Sequence, residues 1–204
     1  SLKDTPDKTL NQWKLAWRAA HPMIVAMWKE LEEAAIAAVR TEGAVFVAGH
    51  PGRQVKFKKA GSFVWCQLPS SRVLCFPYPK LLAGKFGDEL TYMTVPSTND
   101  AGKIIDDVKN ANNWASIGTY GGALMENVVQ ALCRDLLADT MLALTEKGAQ
   151  IVLHVHDEIV VEWSDSPTVQ VFARDEMQKR MRTAPAWAKD FPLYADCHIK
   201  RRYG

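Results

Sequence analysis

The amino-acid sequence predicts an α+β fold in which helices pack on an antiparallel sheet. Two stretches carry apolar residues at helical spacing, and short β-branched and aromatic runs separated by Gly, Pro and Ser lie between them. The predicted order is a pair of helices, several small strands, a long helix, a hairpin and a last helix. With 204 residues and 48% hydrophobic content, the chain can build a sizeable core.

The overall charge does not identify a binding partner. Twenty-five Lys and Arg against 23 Asp and Glu give a formal charge of +2, so any basic surface must be local. The four cysteines form no Cys-x-x-Cys pair, which argues against a zinc module and fits reduced thiols. No stretch approaches the roughly 18 apolar residues of a membrane span, and the N-terminus lacks a signal-peptide run. A soluble, cytoplasmic protein without a membrane partner is expected, and the oligomeric state stays open.

The first segment, residues 9–43, is predicted to be helical with one break at Pro22. Trp13 and Trp17 are four residues apart, and the apolar residues after the proline recur at helical spacing as far as Gly43, a natural helix end. These apolar positions are Ile24, Met27, Trp28, Leu31 and Ala35.

The second segment, residues 44–118, is predicted to hold small strands and an irregular connection. Short runs over residues 44–76 indicate a meander of antiparallel strands. One run alternates Val55 and Phe57 with lysines, which makes it half exposed and basic. Residues 79–118 are expected to be the least regular part, with a strand and turn in "TYMTVPSTND" and a polar connection in "IIDDVKNANNW".

The third segment, residues 119–204, is predicted to contain a long helix, a hairpin and a further helix. The long helix runs over residues 120–147, ends at Gly148, and is followed by a hairpin and by a helix over residues 167–182. Its predicted buried stripe consists of Met125, Val128, Val129, Leu132, Leu136, Met141 and Leu144.

The hairpin "IVLHVHDEIVVEW", residues 151–163, concentrates ionisable groups between two apolar strands. Strict alternation puts Ile151, Leu153 and Val155 on one face and Val152 with both histidines, His154 and His156, on the other. Asp157 then lies at the tip, partly exposed and firmly placed. A carboxylate held in this way suits a hard divalent cation such as Mg²⁺.

The long helix and the hairpin together resemble two motifs of family A DNA polymerases, the family of bacterial DNA polymerase I and many phage replicases. "TYGGALMENVVQALCRDLLADTMLALTEKG" leads directly into the hairpin, and the tail "MRTAPAWAKDFPLYADCHIKRRYG" is similar to that of the phage-type branch. "LPSSRVLCFPYP" resembles the family's Leu-Pro-Ser-Gly-Arg strand. The resemblance covers most of residues 10–204. It implies a palm-like antiparallel sheet with a hairpin that carries the catalytic aspartate, packed against long helices.

The resemblance implies template-directed transfer of a nucleotide from a dNTP to a primer 3′-hydroxyl, with two Mg²⁺ ions. Asp157 matches the catalytic, metal-binding aspartate, and Glu158 is the adjacent acid in a supporting role. Carboxylates are needed because they hold the ions that lower the charge barrier of the reaction. His156 matches a histidine near the primer terminus, where an imidazole can donate a hydrogen bond to DNA. His154 is expected to be an ordinary strand-surface histidine.

Several further residues match positions that the family uses against primer-template DNA. Gln130 matches the glutamine that reaches the minor groove, where acceptors are shared by all base pairs. Asn127 and Arg134 lie three residues before and four after it, on the same broad helix face. For both, ordinary solvation is the alternative, and Arg134 is at least as well suited to an ion pair.

The remaining expected DNA contacts are the first residues of the long helix, one arginine and a set of four basic residues. Tyr120, Gly121 and Gly122 open the helix, and glycines there permit a close backbone approach. Many phage-type relatives carry a Lys after the glycines where this chain has Ala123. Arg72 is a candidate phosphate contact. A second candidate set, for which a solvated strand edge is the alternative, is Arg53, Lys56, Lys58 and Lys59.

The family also needs two elements that the 204 residues do not contain. One is a second metal carboxylate in an Asp-x-Ser-x-x-Glu strand, and the other is a fingers helix with Arg, Lys and Tyr. Asp88, Asp106 and Asp107 lie in loop-like sequence and cannot replace the first. The chain is therefore expected to be the C-terminal palm portion of a polymerase, inactive alone, and either a piece of a longer protein or the product of a truncated gene.

Two other functions remain open at this stage. His154 and His156 present a His-x-His pair of the kind that metallohydrolases and cupins use, although the spacing His-x-His-x-Asp-His is not met. A non-catalytic DNA-binding remnant of a polymerase is the other possibility.

Overall fold

Helices and antiparallel sheets make up the computed structural model, which describes residues 6–84, 87–95 and 114–203. The predicted α+β class with antiparallel sheets is confirmed. The chain divides into two compact units, residues 1–127 and 128–204. Within the part of the chain that is described, no helix combines the length and the apolar character needed to cross a membrane.

The first two helices of the first unit are separated at Pro22, as predicted. Helix α1 spans Asp7–Ala20 and helix α2 spans Pro22–Arg40, with the proline in the first turn of α2, where its missing N–H costs nothing. Helix α2 packs on the first two strands through a face rich in alanine, which allows the helix to approach the sheet closely. Its buried residues are Leu31, Ala34, Ala35 and Ala38.

Four strands after α2 form an antiparallel meander, which confirms the prediction for residues 44–76. Core residues alternate along the strands, and burial raises the pKa of the Cys66 thiol to about 12. The strands are β1 (Val45–Ala48), β2 (Val55–Ala60), β3 (Phe63–Gln67) and β4 (Val73–Pro77). The inward-facing residues are Val55, Phe57, Val64, Cys66 and Phe76.

The segment Leu68–Arg72 is a turn, and not part of a strand as the "LPSSR" resemblance implied. Its ends are joined by a hydrogen bond from the Leu68 N–H to the Arg72 carbonyl (2.8 Å), and β4 begins one residue later. Ser71 has a φ of 71°, a left-handed conformation that favours glycine. Ser71 occupies the position of the Gly in the pattern Leu-Pro-Ser-Gly-Arg that this segment resembles. The turn requires a positive φ at this position, which glycine adopts without strain.

Replacing Ser71 with glycine is expected to stabilise the protein by roughly 0.5–1 kcal/mol, because glycine adopts a positive φ without strain. Thermal unfolding of the two proteins measures the difference. Ser62→Gly in the turn between β2 and β3 is the matched control, since Ser62 is exposed and has no positive φ, so the change there mainly adds unfolded-state freedom. Equal shifts for the two substitutions, or a loss of stability in Ser71→Gly, would contradict the assignment of strain to Ser71.

A second sheet occupies a region that was predicted to be largely irregular. Strands β5 (Lys80–Gly84), β6 (Gly87–Thr94) and β7 (Ala115–Thr119) are antiparallel in the order β5-β6-β7. The strand expected in "TYMTVPSTND" is the second half of β6, whereas β5, β7 and the first half of β6 were missed. Asp88, which was expected in loop-like sequence, lies on β6 and pairs with Arg40 at 2.6 Å. The predicted polar connection "IIDDVKNANNW", with Asp106 and Asp107, falls outside the described residues except for Trp114.

Helix α3 spans Gly121–Thr145, close to its predicted range. Its predicted stripe is only partly correct, since Val128 and Leu144 are buried but Val129 is exposed. The missed buried residues are Leu124, Ala131 and Leu137.

Gly121 is buried where α3 begins, against the backbone of α2. A Cβ atom at this position would collide with the carbonyl group of Trp28. The Gly121 N–H donates to the Glu32 carboxylate of α2 at 3.2 Å, so an acid satisfies one of the free amides at this helix start. The glycine is therefore required for packing within the first unit.

Gly121→Ala is expected to destabilise the first unit by about 1–3 kcal/mol, because the added methyl group meets backbone that cannot move aside. Gly122→Ala is the matched control. The Cβ there would approach only the ring of Tyr120, a largely exposed side chain that can turn away, while alanine improves helix propensity. Chemical denaturation of both variants measures the contrast, and equal losses would exclude the packing role of Gly121.

The second unit holds the rest of α3, a hairpin, helix α4 (Pro167–Met181) and a short 3₁₀ helix (Ala186–Ala188). The hairpin consists of β8 (Gln150–Val155) and β9 (Glu158–Glu162), as the sequence predicted. The Trp187 indole N–H donates to the Asp139 carboxylate at 2.8 Å and fastens the 3₁₀ helix to α3. The core of this unit contains Leu137, Leu144, Ala149 and Ile159, surrounded by Met141, Ile151, Val161, Trp163, Met177 and Met181.

Candidate functional site

The tip of the hairpin is a two-residue turn formed by His156 and Asp157. Val155 and Glu158 pair across the strands on either side of it. His156 has a φ of 52°, a conformation that Gly and Asn usually provide in two-residue hairpins. Both turn side chains are exposed. The turn therefore presents an imidazole and a carboxylate next to each other, on a backbone whose conformation is unusual for histidine.

The predicted distribution of side chains over the two hairpin faces is correct for Leu153, His154 and Val155 but wrong for Ile151, because β8 contains a bulge. Ile151 pairs with Val161 but Leu153 pairs with Val160, so Val152 is an extra residue and the alternation is reset. Paired residues lie on the same face. Ile151 therefore shares its face with His154, while Leu153 joins Val155 on the opposite face and is 42% exposed.

His154 is exposed on β8, as expected for a strand-surface histidine, and it also contacts α3. Two guanidinium nitrogens of Arg134 lie 3.5 Å from the two ring nitrogens of His154. The planar guanidinium group is well suited to lie against such a ring. Only the bulge, which the sequence pattern conceals, brings His154 to this side. Arg134 thus has a partner within the second unit, although the partner is an imidazole and not the expected acid.

Glu158 is joined to the C-terminal segment of the chain. The Tyr203 hydroxyl donates to a carboxylate oxygen of Glu158 at 3.1 Å. This hydrogen bond raises the pKa of Tyr203, because a phenolate would lose the bond and face a carboxylate. A raised pKa means that the contact is intact below the ordinary pKa of tyrosine and is lost only as the pH rises through the raised value. At neutral pH Glu158 is therefore held by Tyr203.

The C-terminal segment is also fastened to α4. Arg182 donates to the Ala195 carbonyl at 2.8 Å and lies over the Tyr194 ring at 4.8 Å. Gln178 donates to the same carbonyl at 3.4 Å. These contacts hold the C-terminal segment before Tyr203 against α4. The residue that binds Glu158 therefore belongs to a segment that is itself attached to the second unit.

The predicted DNA contacts on α3 lie in different environments. Gln130 is exposed and Asn127 is partly buried, while Tyr120 is exposed. Gly121 is buried and its N–H is bound to Glu32, whereas Gly122 is partly exposed. The close packing of Gly121 against α2 explains why glycine is needed there, and no contact with DNA is required for that explanation. The contacts of these five residues with DNA stay predictions.

The basic candidates of the first unit also differ from one another. Lys59 binds the Glu42 carboxylate at 2.7 Å, and the Lys59 ion pair lowers the pKa of Glu42. Lys56 and Lys58 point away from the core on β2. Arg72 is exposed on the β3–β4 turn. Beside that turn lies a shallow cavity of about 190 Å³, lined by Gly52, Gln54, Lys56, Gln67, Leu68, Pro69 and Ser71.

The hairpin tip places two carboxylates next to each other in the chain. Asp157 and Glu158 provide carboxylate oxygens, the ligand type that Mg²⁺ prefers. In residues 6–84, 87–95 and 114–203, no three His, Cys, Asp or Glu side chains come together as a metal site. The donor chemistry of Asp157 fits Mg²⁺, but further carboxylates are required. The guanidinium charge beside His154 opposes a second cation there, which weakens the His-x-His hypothesis.

Comparison with known proteins finds one informative similarity. Over 190 residues the chain is 36% identical to a protein named DNA polymerase from Bacillus phage SP02. The aligned residues make up 92% of this chain and 26% of the phage protein. The chain thus spans about a quarter of the length of that relative. No protein-family model matches the chain, and no solved structure matches it.

Proposed function

We propose that this chain is the palm portion of a template-directed DNA polymerase of family A, and that it supplies the hairpin aspartate of the catalytic site. The observation that supports this most strongly is the hairpin itself. An exposed Asp157 lies at a two-residue turn, in a chain that is 36% identical over 190 residues to a phage protein named DNA polymerase. The proposed substrates are primer-template DNA and dNTPs.

In the proposed site, Asp157 holds Mg²⁺ and Glu158 supports it. Bound Mg²⁺ supplies charge neutralisation for the attack of the primer 3′-oxygen on the α-phosphate. Asp157 contributes a carboxylate at a fixed turn position, which limits the reorganisation needed when a cation binds. Glu158 accepts the Tyr203 hydrogen bond, so its carboxylate is already oriented and is better suited to a supporting role.

His156 and the α3 residues are proposed to hold the DNA. The His156 imidazole stands next to Asp157 on the same turn, where it can donate a hydrogen bond to the primer end. Gln130 is exposed on α3 and can donate from its amide to minor-groove acceptors. Asn127, Tyr120, Gly121, Gly122 and Arg72 are the other proposed contacts, as the family resemblance implies.

The 204 residues alone are expected not to extend a primer, because they contain no Asp-x-Ser-x-x-Glu segment to supply the second carboxylate. A polymerase that contains this chain together with such a segment is expected to incorporate dNTPs that match the template. Extension of a labelled primer, with one dNTP offered at a time, measures both. Incorporation without regard to the template would contradict the proposal, and templated extension by the 204 residues would disprove the inactivity of the chain alone. DNA binding without any incorporation by the larger protein would favour a non-catalytic remnant.

A further inference from the structure

One face of the four-stranded sheet β1-β2-β3-β4 points outward and is open over two complete rows of residues. One row runs across all four strands through Val45, Lys58, Trp65 and Cys75. The next runs through Val47, Lys56, Gln67 and Val73. All eight side chains are exposed, whereas the opposite face packs on α2. This outer face is therefore an exposed surface on the side of the sheet away from α2.

Three aromatic rings lie together at one end of the outer face. The ring of Phe63 is 5.2 Å from that of Trp65 and 6.3 Å from that of Tyr78. Trp65 is 38% exposed and Tyr78 is 56% exposed. A sheet face that served only as solvent surface would not need large rings at this density, and their open sides are available to a flat ligand.

Tyr78 adopts a conformation that is costly for an aromatic residue. Its φ is 46°, and its N–H donates to the Ser62 carbonyl at 2.7 Å. Non-glycine residues with positive φ are uncommon and often belong to ligand-binding segments. The hydrogen bond fixes the chain here, so the third ring is held beside Phe63.

The charge of the outer face is positive. Lys56 and Lys58 lie on adjacent rows at its centre, and none of the eight residues of the two rows is acidic. Both lysines are exposed, unlike Lys59, which is bound to Glu42. The outer face therefore combines rings that stack with cations that bind phosphate groups.

We propose that the outer face binds single-stranded DNA, with bases stacked on Trp65, Phe63 and Tyr78 and phosphates held by Lys56 and Lys58. Aromatic rings with basic residues on an open antiparallel sheet are a common arrangement for unpaired nucleic acid. Phe63 and Trp65 lie two residues apart on β3 and therefore on the same face of the sheet, with their rings 5.2 Å apart, so neighbouring bases can each meet a ring. Duplex DNA cannot use the rings, because its bases are stacked on each other.

The choice of DNA over RNA rests on the proposed polymerase function, since a polymerase handles an unpaired template or displaced strand. The surface itself depends on none of the residues of the hairpin. The outer face carries two lysines and, in its two rows, no acidic residue, so its charge is not balanced within the surface. The phosphates of a DNA strand complement this positive charge along their whole length, which favours DNA over a protein partner.

Fluorescence anisotropy of a labelled oligothymidine with the 204-residue chain tests the proposal. Trp65→Ala is expected to weaken binding roughly 5- to 100-fold, and Trp65→Phe to retain most of it because a ring remains. Trp13→Ala on α1 is the matched control, since Trp13 is also exposed. Trp65→Ala should leave the affinity for a blunt duplex unchanged. Equal weakening by the Trp13 and Trp65 substitutions, or no binding at all, overturns the proposal.

The salt dependence tests the two lysines. Lys56→Gln with Lys58→Gln is expected to lower the slope of log affinity against log salt by about 1.4, which corresponds to two lost phosphate contacts on a single strand. Lys8→Gln with Lys14→Gln on α1 removes the same charge from another surface and should leave the slope unchanged. A slope that changes equally in both double variants overturns the assignment to the outer face.

Alkylation of Cys75 maps the bound strand directly. Cys75 pairs with Trp65 and is exposed, while Cys66 is buried with its pKa raised to about 12 and serves as an unreactive internal control. Oligothymidine should slow the alkylation of Cys75, and unchanged alkylation overturns the proposal. Tighter binding of oligouridine than of oligothymidine also overturns it. This binding is measured without a primer or dNTPs, so its failure and a failure of the polymerase proposal are distinguishable.

Discussion

Replacing Asp157 with alanine in a polymerase that contains this chain is expected to lower nucleotide incorporation by at least about a thousandfold. The proposed role of the carboxylate is to hold Mg²⁺, and loss of a charge-stabilising contact worth several kcal/mol corresponds to three or more powers of ten in rate. Primer-template affinity should stay within about threefold, because Asp157 is an acid and contributes no attraction to phosphates. Single-turnover incorporation and a gel-shift titration measure the two quantities.

The position of Asp157 makes this substitution unusually clean. The side chain is exposed at a turn and makes no described hydrogen bond, so its removal leaves no buried polar group without a partner. Folding should be unaffected within about 0.5 kcal/mol. A loss of activity can then be assigned to chemistry, which would not be possible for a residue in the core.

Two control variants separate the proposed metal contact from a general effect of charge. Asp157→Asn keeps the size of the side chain but removes its charge, and it should lose nearly as much activity as alanine. Glu146→Gln removes a negative charge from an exposed residue just after the end of α3 and should retain full activity. Substantial activity in both Asp157 variants would disprove the metal-ligand role. A matching loss in Glu146→Gln would mean that net charge, and not this carboxylate, controls the rate.

The elements that the sequence predicted well are those whose pattern is local. Pro22 divides the first two helices because proline is tolerated only at a helix start. The strands of residues 44–76 alternate regularly and are separated by turn residues. The two-residue turn at His156 and Asp157 follows from two apolar runs that flank a short polar pair.

The errors have physical causes that a pattern does not reveal. Strand β7 has the sequence "ASIGT", whose small residues give little strand signal, and it forms only because β6 provides a partner. The bulge at Val152 interrupts the alternation and places Ile151 on the same face as His154, although strict alternation was the reasonable expectation. On α3, Ala131 is buried and Val129 is exposed, so hydrophobicity alone ranked the two positions wrongly.

Contacts between distant residues were likewise beyond prediction from one sequence. Glu158 and Tyr203 are 45 residues apart, and Glu32 and Gly121 are 89 residues apart. Each pair depends on the packing of whole elements and not on a motif. The two glycines at 121 and 122 illustrate this. The resemblance suggested a DNA contact for both, whereas the structure shows that only Gly121 is packed against the backbone of α2.

Leu144→Ala is expected to destabilise the second unit by about 2–5 kcal/mol, because removal of a fully buried leucine leaves a cavity. Leu144 is 0% exposed and belongs to the core with Leu137, Ala149 and Ile159. Leu142, two residues earlier on the same helix, is 65% exposed. Leu142→Ala should therefore change stability by no more than about 0.5 kcal/mol, although it removes the same atoms.

Hydrogen exchange shows which unit loses stability in Leu144→Ala. A single melting curve does not show this, because the two units need not unfold together. In Leu144→Ala, protection of the β8–β9 amides should fall by at least about tenfold, while that of β2 and β3 stays unchanged. Ile159 of β9 is in the same core, so the hairpin that carries Asp157 depends on Leu144 for its position. In a polymerase that contains this chain, the same variant should then lose incorporation that Leu142→Ala retains. Equal protection in the two leucine variants would show that the hairpin is held by its turn alone.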